Sequence, residues 1–203
     1  MKPGLLASAG IQLARLTALW PRKKQPAALS IRRPRSLPSK SAKSRKRAPQ
    51  PVFVTEATFL RELIKILTLD DYEHMRFLTG PKLDRFRVMT RWAQPVVLDA
   101  QSAVYVGAHA QSVANVLITI IEQGAELHCI AHSHPGCGPG STTPSGTDIA
   151  CLGKLQKNGS PAIGCIVTRD NHVRFFTVRR AFRVLVQGTG VTEISKNVYR
   201  LTH

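Results

Sequence analysis

From Pro51 onward, apolar residues recur at two spacings. Phe59, Leu60, Leu63, Ile64 and Leu67 fall three and four apart, which predicts a helix with one buried face. Thr55 stands where an N-cap is expected, and Asp70-Asp71 ends the pattern. "YEHMRFLTG" then predicts a strand opened by Glu73 and stopped at Gly80-Pro81, with further strands in "RFRVMTRW" and "VVLDAQSAVYV". A meander of this kind favours antiparallel pairing. "QSVANVLITIIEQG" returns to helical spacing and closes on Gly124. "ELHCIAHSHP" alternates as a strand halted by Pro135, Ser145 to Leu155 reads as a helix, and "PAIGCIVTRDNHVRFFTV" as a hairpin about Asp170-Asn171. The expected fold is α/β: a mixed, largely antiparallel sheet with flanking helices.

Charge divides the chain into two parts. The formal net charge is +17, but residues 1–50 hold 13 of the 29 Lys and Arg and no Asp or Glu. That leaves 16 basic against 12 acidic residues in 51–203, a net of +4. The segment 1–50 is too polar, Pro-rich and like-charged around "IRRPRSLPSKSAKSRKRAPQ" to build a core, so it is read as a disordered basic tail ahead of one domain, 51–203. Its Arg- and Ser-rich, acid-free character is shared by organellar transit peptides and by arms that contact nucleic acid non-specifically through phosphate. No stretch is apolar and long enough to span a membrane, and the expectation is a protein with no membrane partner. Cys129, Cys137, Cys151 and Cys165 follow no secretory signal, which favours reduced thiols.

The chemistry concentrates in "HSHPGCGPGSTTPSGTD", His132 to Asp148. On a strand, residues two apart share a face, so His132 and His134 converge while Ser133 turns away. The Gly/Pro-rich loop lets Asp148, at the start of the next helix, return as a third ligand. Two imidazoles and one carboxylate suit Zn²⁺ and leave a fourth position for water, the arrangement of catalytic rather than structural zinc. Amide hydrolysis also needs an acid/base outside the ligand set. Glu126 opens the strand of His132, and six residues at about 3.3 Å each hold it around 20 Å away. Glu73, on a neighbouring strand, is the better placed carboxylate.

Together Glu73, His132-Ser133-His134-Pro135 and Ser145-Gly146-Thr147-Asp148 resemble the motif of the JAMM metalloproteases, the catalytic JAB/MPN family, over roughly residues 55 to 178. The resemblance implies a JAB/MPN, cytidine deaminase-like architecture and a zinc isopeptidase or peptidase acting at the C-terminus of a ubiquitin-like modifier. It implies one zinc on His132, His134 and Asp148, Glu73 as acid/base, and Ser145 supporting the oxyanion. Similarity to stand-alone bacterial members implies a cytoplasmic enzyme whose partners are the modifier, its conjugates, and activating-like and conjugating-like proteins. Two departures stand out. Ten residues separate His134 from Ser145 where the family usually has seven, and Arg76 occupies a position usually held by glycine, which the resemblance associates with the substrate groove.

Other readings of the same residues exist. Ser145 and Asp148 form a capping-box pattern, which is compatible with ligation. His132, His134, Cys137 and Cys151 could instead close a structural zinc site, although their spacing is irregular and Cys137 falls in a loop expected to be flexible. A zinc deaminase would need His-x-Glu and Pro-Cys-x-x-Cys, which are lacking. His74, His109, His128 and His172 have no comparable partners, and Cys129 and Cys165 suit core positions. A non-catalytic, zinc-stabilised scaffold or nucleic-acid-associated protein using its basic tail is the alternative function class.

Overall fold

The computed structural model describes residues 50–202; the expectations for the basic segment up to residue 49 lie outside them. The chain opens with strand β1 (Val52–Glu56) and helix α1 (Ala57–Leu67). The helical spacing is obeyed: Leu60, Leu63, Ile64 and Leu67 are buried. Thr55 is not the cap. It lies within β1, and its hydroxyl donates to the Met89 carbonyl at 3.2 Å, so a cross-strand bond replaces the capping one.

Next come β2 (Met75–Gly80), β3 (Lys82–Leu83), β4 (Phe86–Met89) and β5 (Arg91–Trp92). A hairpin of β6 (Leu98–Ser102) and β7 (Tyr105–Ala108) leads into α2 (Ala110–Glu122). Then follow β8 (Glu126–Ser133), a short turn of helix α3 (Gly138–Ser141) and α4 (Gly146–Lys157). The chain continues through β9 (Ile163–Val167), β10 (His172–Phe176), β11 (Arg183–Gln187), β12 (Val191–Ser195) and β13 (Val198–Leu201). Two expected strands are therefore corrected. "RFRVMTRW" divides between β4 and β5, which join different sheets, and "VVLDAQSAVYV" is a hairpin. The hairpin about Asp170-Asn171 forms as expected, with Asn171 at φ 65, and Gly124 follows α2 at φ 68.

Among the described residues the expected single sheet is three. A seven-stranded sheet runs β12-β13-β10-β9-β8-β2-β5, a four-stranded sheet runs β11-β1-β4-β3, and β6-β7 stand as a pair. Within the larger sheet only β8 and β9 are parallel, as the crossover through α4 requires. In the smaller one β1 is parallel to both β4 and β11. The sheets approach closely at Gly80, where a Cβ would overlap the Val88 carbonyl.

Two apolar clusters lie on opposite faces of the large sheet. Cys129, Ala131 and Leu78 pack with α1 in one, whereas Phe77, Leu127 and Ile130 pack with α2 and α4 in the other. The alternation 129, 131 against 130 gives His132 the face of Ile130, toward α2 and α4. Arg76 lies between Met75 and Phe77, which line a cavity on that face, so alternation along β2 turns its side chain to the opposite one.

Candidate metal centre

The end of β8 carries the two histidines. His132 pairs across to Ile166 of β9 and Met75 of β2, and the His134 amide donates to the Val167 carbonyl at 2.9 Å, extending the ladder one residue past β8, up to the stop at Pro135. With the strand prolonged in this way, the two rings share a face and their Nε2 atoms lie 3.1 Å apart. Asp148 reaches them from the first turn of α4. Its Oδ1 is 3.3 Å from His132 Nε2 and its Oδ2 3.7 Å from His134 Nε2. The capping box is also present: Ser145 N donates to Asp148 Oδ2 at 2.7 Å, and Asp148 N donates to Ser145 Oγ at 3.2 Å. Capping and convergence thus coexist in one carboxylate.

The donor set fits a zinc ion. Tetrahedral ligands at about 2.0–2.1 Å from zinc stand about 3.3 Å from one another, and the closest separations above bracket that value. Among the described residues, His132, His134 and Asp148 are the group of three or more whose ligating atoms gather within 4.8 Å. Cys137 and Cys151 do not belong to it, which removes the four-ligand alternative. His128 is buried with Nε2 on the Gly80 carbonyl, His74 bonds Asp70, and His172 faces Asp170. Cys129 and Cys165 are buried in the core as expected.

The second layer orients the first. His134 Nδ1 lies 2.7 Å from the Ser141 carbonyl. A carbonyl only accepts, so Nδ1 holds a proton, and in the neutral form that would bind a metal the Nε2 lone pair of His134 faces His132 and Asp148. The ten-residue loop that supplies Ser141 is not the flexible connector anticipated. Gly138 N donates to Asp170 Oδ2 at 2.7 Å; Arg174 Nε donates to Thr142 Oγ1 at 3.0 Å and Nη2 to the Pro139 carbonyl at 3.2 Å. Thr142 is fully buried, and Ser141 Oγ donates to the Cys137 carbonyl at 2.7 Å. The β9-β10 hairpin therefore braces the loop, a role the sequence reading did not give to Asp170 or Arg174.

Glu73 does not open β2 but sits two residues before it. Its Oε1 lies 3.9 Å from His134 Nε2, close to the ligand group and outside it. Backbone bonds fix this position: Glu73 N donates to the Ser102 carbonyl at 2.9 Å, and Gln101 Nε2 donates to the Glu73 carbonyl at 3.0 Å. Ser133, facing away from the centre, ties down the next residue by accepting the His74 N–H at its Oγ, 2.9 Å, and donating its own N–H to the His74 carbonyl. Thus the middle residue of His-Ser-His secures the carboxylate.

The electrostatics follow from this packing. Burial raises the Glu73 carboxyl above its ordinary value, and nearby Asp148 adds to the rise, while His134 and His132 only partly offset it. For Asp148 burial also acts upward, but hydrogen bonds from His132 and His134, their charge and the Ser145 N–H hold it well below the usual carboxylate range. Burial lowers His134, yet its bonds to Asp148 and the Ser141 carbonyl and the charge of Glu73 leave it raised. Ser145 is exposed; its Oγ accepts from Asp148, leaving its O–H to donate elsewhere.

No family model matches the chain, and no curated protein does. Among solved structures it is similar to protein DSY2949 from Desulfitobacterium hafniense, determined in solution, with 14% identity and a TM-score of 0.49 over 66% of this chain and 92% of that one. It is also similar to the crystal structure of AF2198, a JAB1/MPN domain protein from Archaeoglobus fulgidus, with 16% identity and a TM-score of 0.37 over 64% of this chain and 97% of that one.

Proposed function

We propose that the protein is a zinc-dependent peptidase or isopeptidase of the JAMM type that cleaves at the C-terminus of a ubiquitin-like modifier, releasing conjugates or maturing a precursor. The observation that carries the reading is the division of labour among four side chains. Three converge as ligands, and a fourth, Glu73, is buried 3.9 Å from one of them without joining the set. A structural zinc site closes its shell with four protein ligands and has no use for such a carboxylate.

Zinc held by His132, His134 and Asp148 would polarise the scissile carbonyl and bring the pKa of a water to about 7. Glu73 Oε1 takes the proton from the attacking water and returns it to the leaving nitrogen, and burial, which raises its pKa above the ordinary glutamate value, favours its keeping that proton between the two transfers. The Ser145 hydroxyl donates to the carbonyl oxygen as negative charge develops there, a contribution made in the transition state. His134 keeps one tautomer because the Ser141 carbonyl holds its Nδ1 proton.

The test is cleavage of modifier fusions and isopeptide conjugates by zinc-loaded wild type and Glu73→Gln. About one zinc in each protein with turnover in wild type alone is expected, because the base is not a ligand. Full turnover by the Gln variant would remove Glu73 from the mechanism, and failure to retain zinc at neutral pH would remove the mechanism itself.

A further inference from the structure

Beside the metal ligands the large sheet is left partly uncovered. α2 and α4 pack on the same face, and Ile130, in the middle of β8, remains partly exposed beside the cavity that both helices line. The space is a cavity of about 190 Å³. Phe77 and Ile130 from the sheet, Val113 and Leu117 from α2, Leu152 from α4 and Phe176 from β10 contribute its apolar walls. Gly164 makes part of the floor, where a Cβ would collide with the Phe176 ring. His132 and Asp148 line it too, and among the described residues Asp148 is the sole carboxylate doing so.

We infer that this cavity is a specificity pocket for one uncharged side chain of leucine or phenylalanine size, carried by the substrate within a residue or two of the bond that meets the metal centre. The inference rests on the hydrolase reading above and narrows its substrate class. Three observations support it. The pocket is continuous with the catalytic centre, because two of the ligands are also wall residues, so a chain whose carbonyl reaches those ligands brings an adjacent side chain to the opening. The volume is adequate: a cavity of about 150 Å³ with aliphatic walls accommodates benzene. The charge selects against ionic occupants, since a Lys or Glu side chain would be desolvated among apolar walls, its one nearby carboxylate already engaged by two histidines and Ser145. A modifier tail whose residues next to the cleaved bond are all glycine would leave the pocket unfilled.

Two measurements test this separately from catalysis. In the first, metal-free protein with labelled methyl groups is titrated with N-acetyl-leucinamide, N-acetyl-phenylalaninamide, N-acetyl-glycinamide and N-acetyl-lysinamide and followed by NMR. The Leu and Phe amides are expected to bind about 10- to 100-fold more tightly than the Gly amide, moving the Ile130 and Leu152 methyl signals. Val113→Trp, which fills the cavity from its partly exposed rim, should abolish the difference, and Val113→Ala should shift preference toward the Phe amide. Equal binding of all four, or shifts that survive Val113→Trp in a folded protein, would overturn the pocket. In the second, zinc-loaded enzyme is given fusions differing only in the two residues on each side of the cleaved bond. A preference for Leu or Phe that disappears in Val113→Trp supports the pocket, and cleavage indifferent to these residues overturns it while leaving the hydrolase reading intact. Selective binding by the metal-free protein with no cleavage of any fusion would support the pocket and count against the hydrolase.

Discussion

Replacing Arg174 with Ala should weaken zinc binding although Arg174 touches no ligand. Its Nε and Nη2 hold Thr142 Oγ1 at 3.0 Å and the Pro139 carbonyl at 3.2 Å, flanking the Ser141 carbonyl that fixes His134. Hydrogen bonds from a charged donor contribute about 1.5–3 kcal/mol each when protected. The bond to Thr142 is partly buried and the one to Pro139 exposed, so the pair is taken as about 2–3 kcal/mol of loop ordering. Part of that reaches His134. Loss of an outer partner of a metal-binding histidine costs about 10- to 100-fold in affinity, or about 1.4–2.8 kcal/mol. Competition against a chromophoric chelator should therefore show zinc binding weakened by about 10- to 30-fold in Arg174→Ala. Arg174→Lys should fall between, since an ammonium keeps the charge but not the two-pronged donor. Wild-type affinity in a folded Ala variant would refute the brace. A loss of affinity matched by global unfolding of the metal-free protein would reduce it to ordinary stability.

Three further outcomes are expected. The rate should fall with acidification at a higher pH than an ordinary glutamate would give, because burial raises Glu73 and only its deprotonated form accepts the proton; an acid limb unchanged in any partly active Glu73 variant would contradict this. Ser145→Ala should retain zinc, lose about 1 kcal/mol of stability with the cap, and lose about 10²–10³ in turnover; a wild-type rate would cancel the oxyanion role. Deleting residues 1–50 should remove any salt-sensitive nucleic-acid binding and leave hydrolysis of a small conjugate unchanged, whereas loss of that hydrolysis would mean the domain boundary is misplaced.

What the sequence made legible was local. A period of two placed His132 and His134 on one face, Ser145-x-x-Asp148 announced a helix start, and the spacing of Leu60, Leu63, Ile64 and Leu67 announced a buried helix face. Long-range pairing was not legible. Thr55 looked like a cap because nothing in "VFVTE" shows that it pairs in parallel with Arg183–Gln187, near the other end of the chain. The turn of the β6-β7 hairpin passes through Ala103 and Val104, which give none of the Gly or Asn signals of a tight turn. That hairpin nevertheless fixes Glu73 through its backbone. The extended loop read as slack because the residues that fasten it, Asp170 and Arg174, lie about thirty positions downstream, and the group that orients His134 is a main-chain carbonyl, which no residue letter reveals.

An open zinc site made of His132, His134 and Asp148 has a distinctive signature in X-ray absorption at the zinc edge of the loaded protein. A shell of nitrogen and oxygen alone at about 2.0–2.1 Å is expected, with the outer-shell scattering of two imidazoles, retained in Glu73→Gln and lost with the metal in Asp148→Ala. Sulfur scattering at about 2.3 Å, or an unchanged shell after Asp148 is removed, would contradict it.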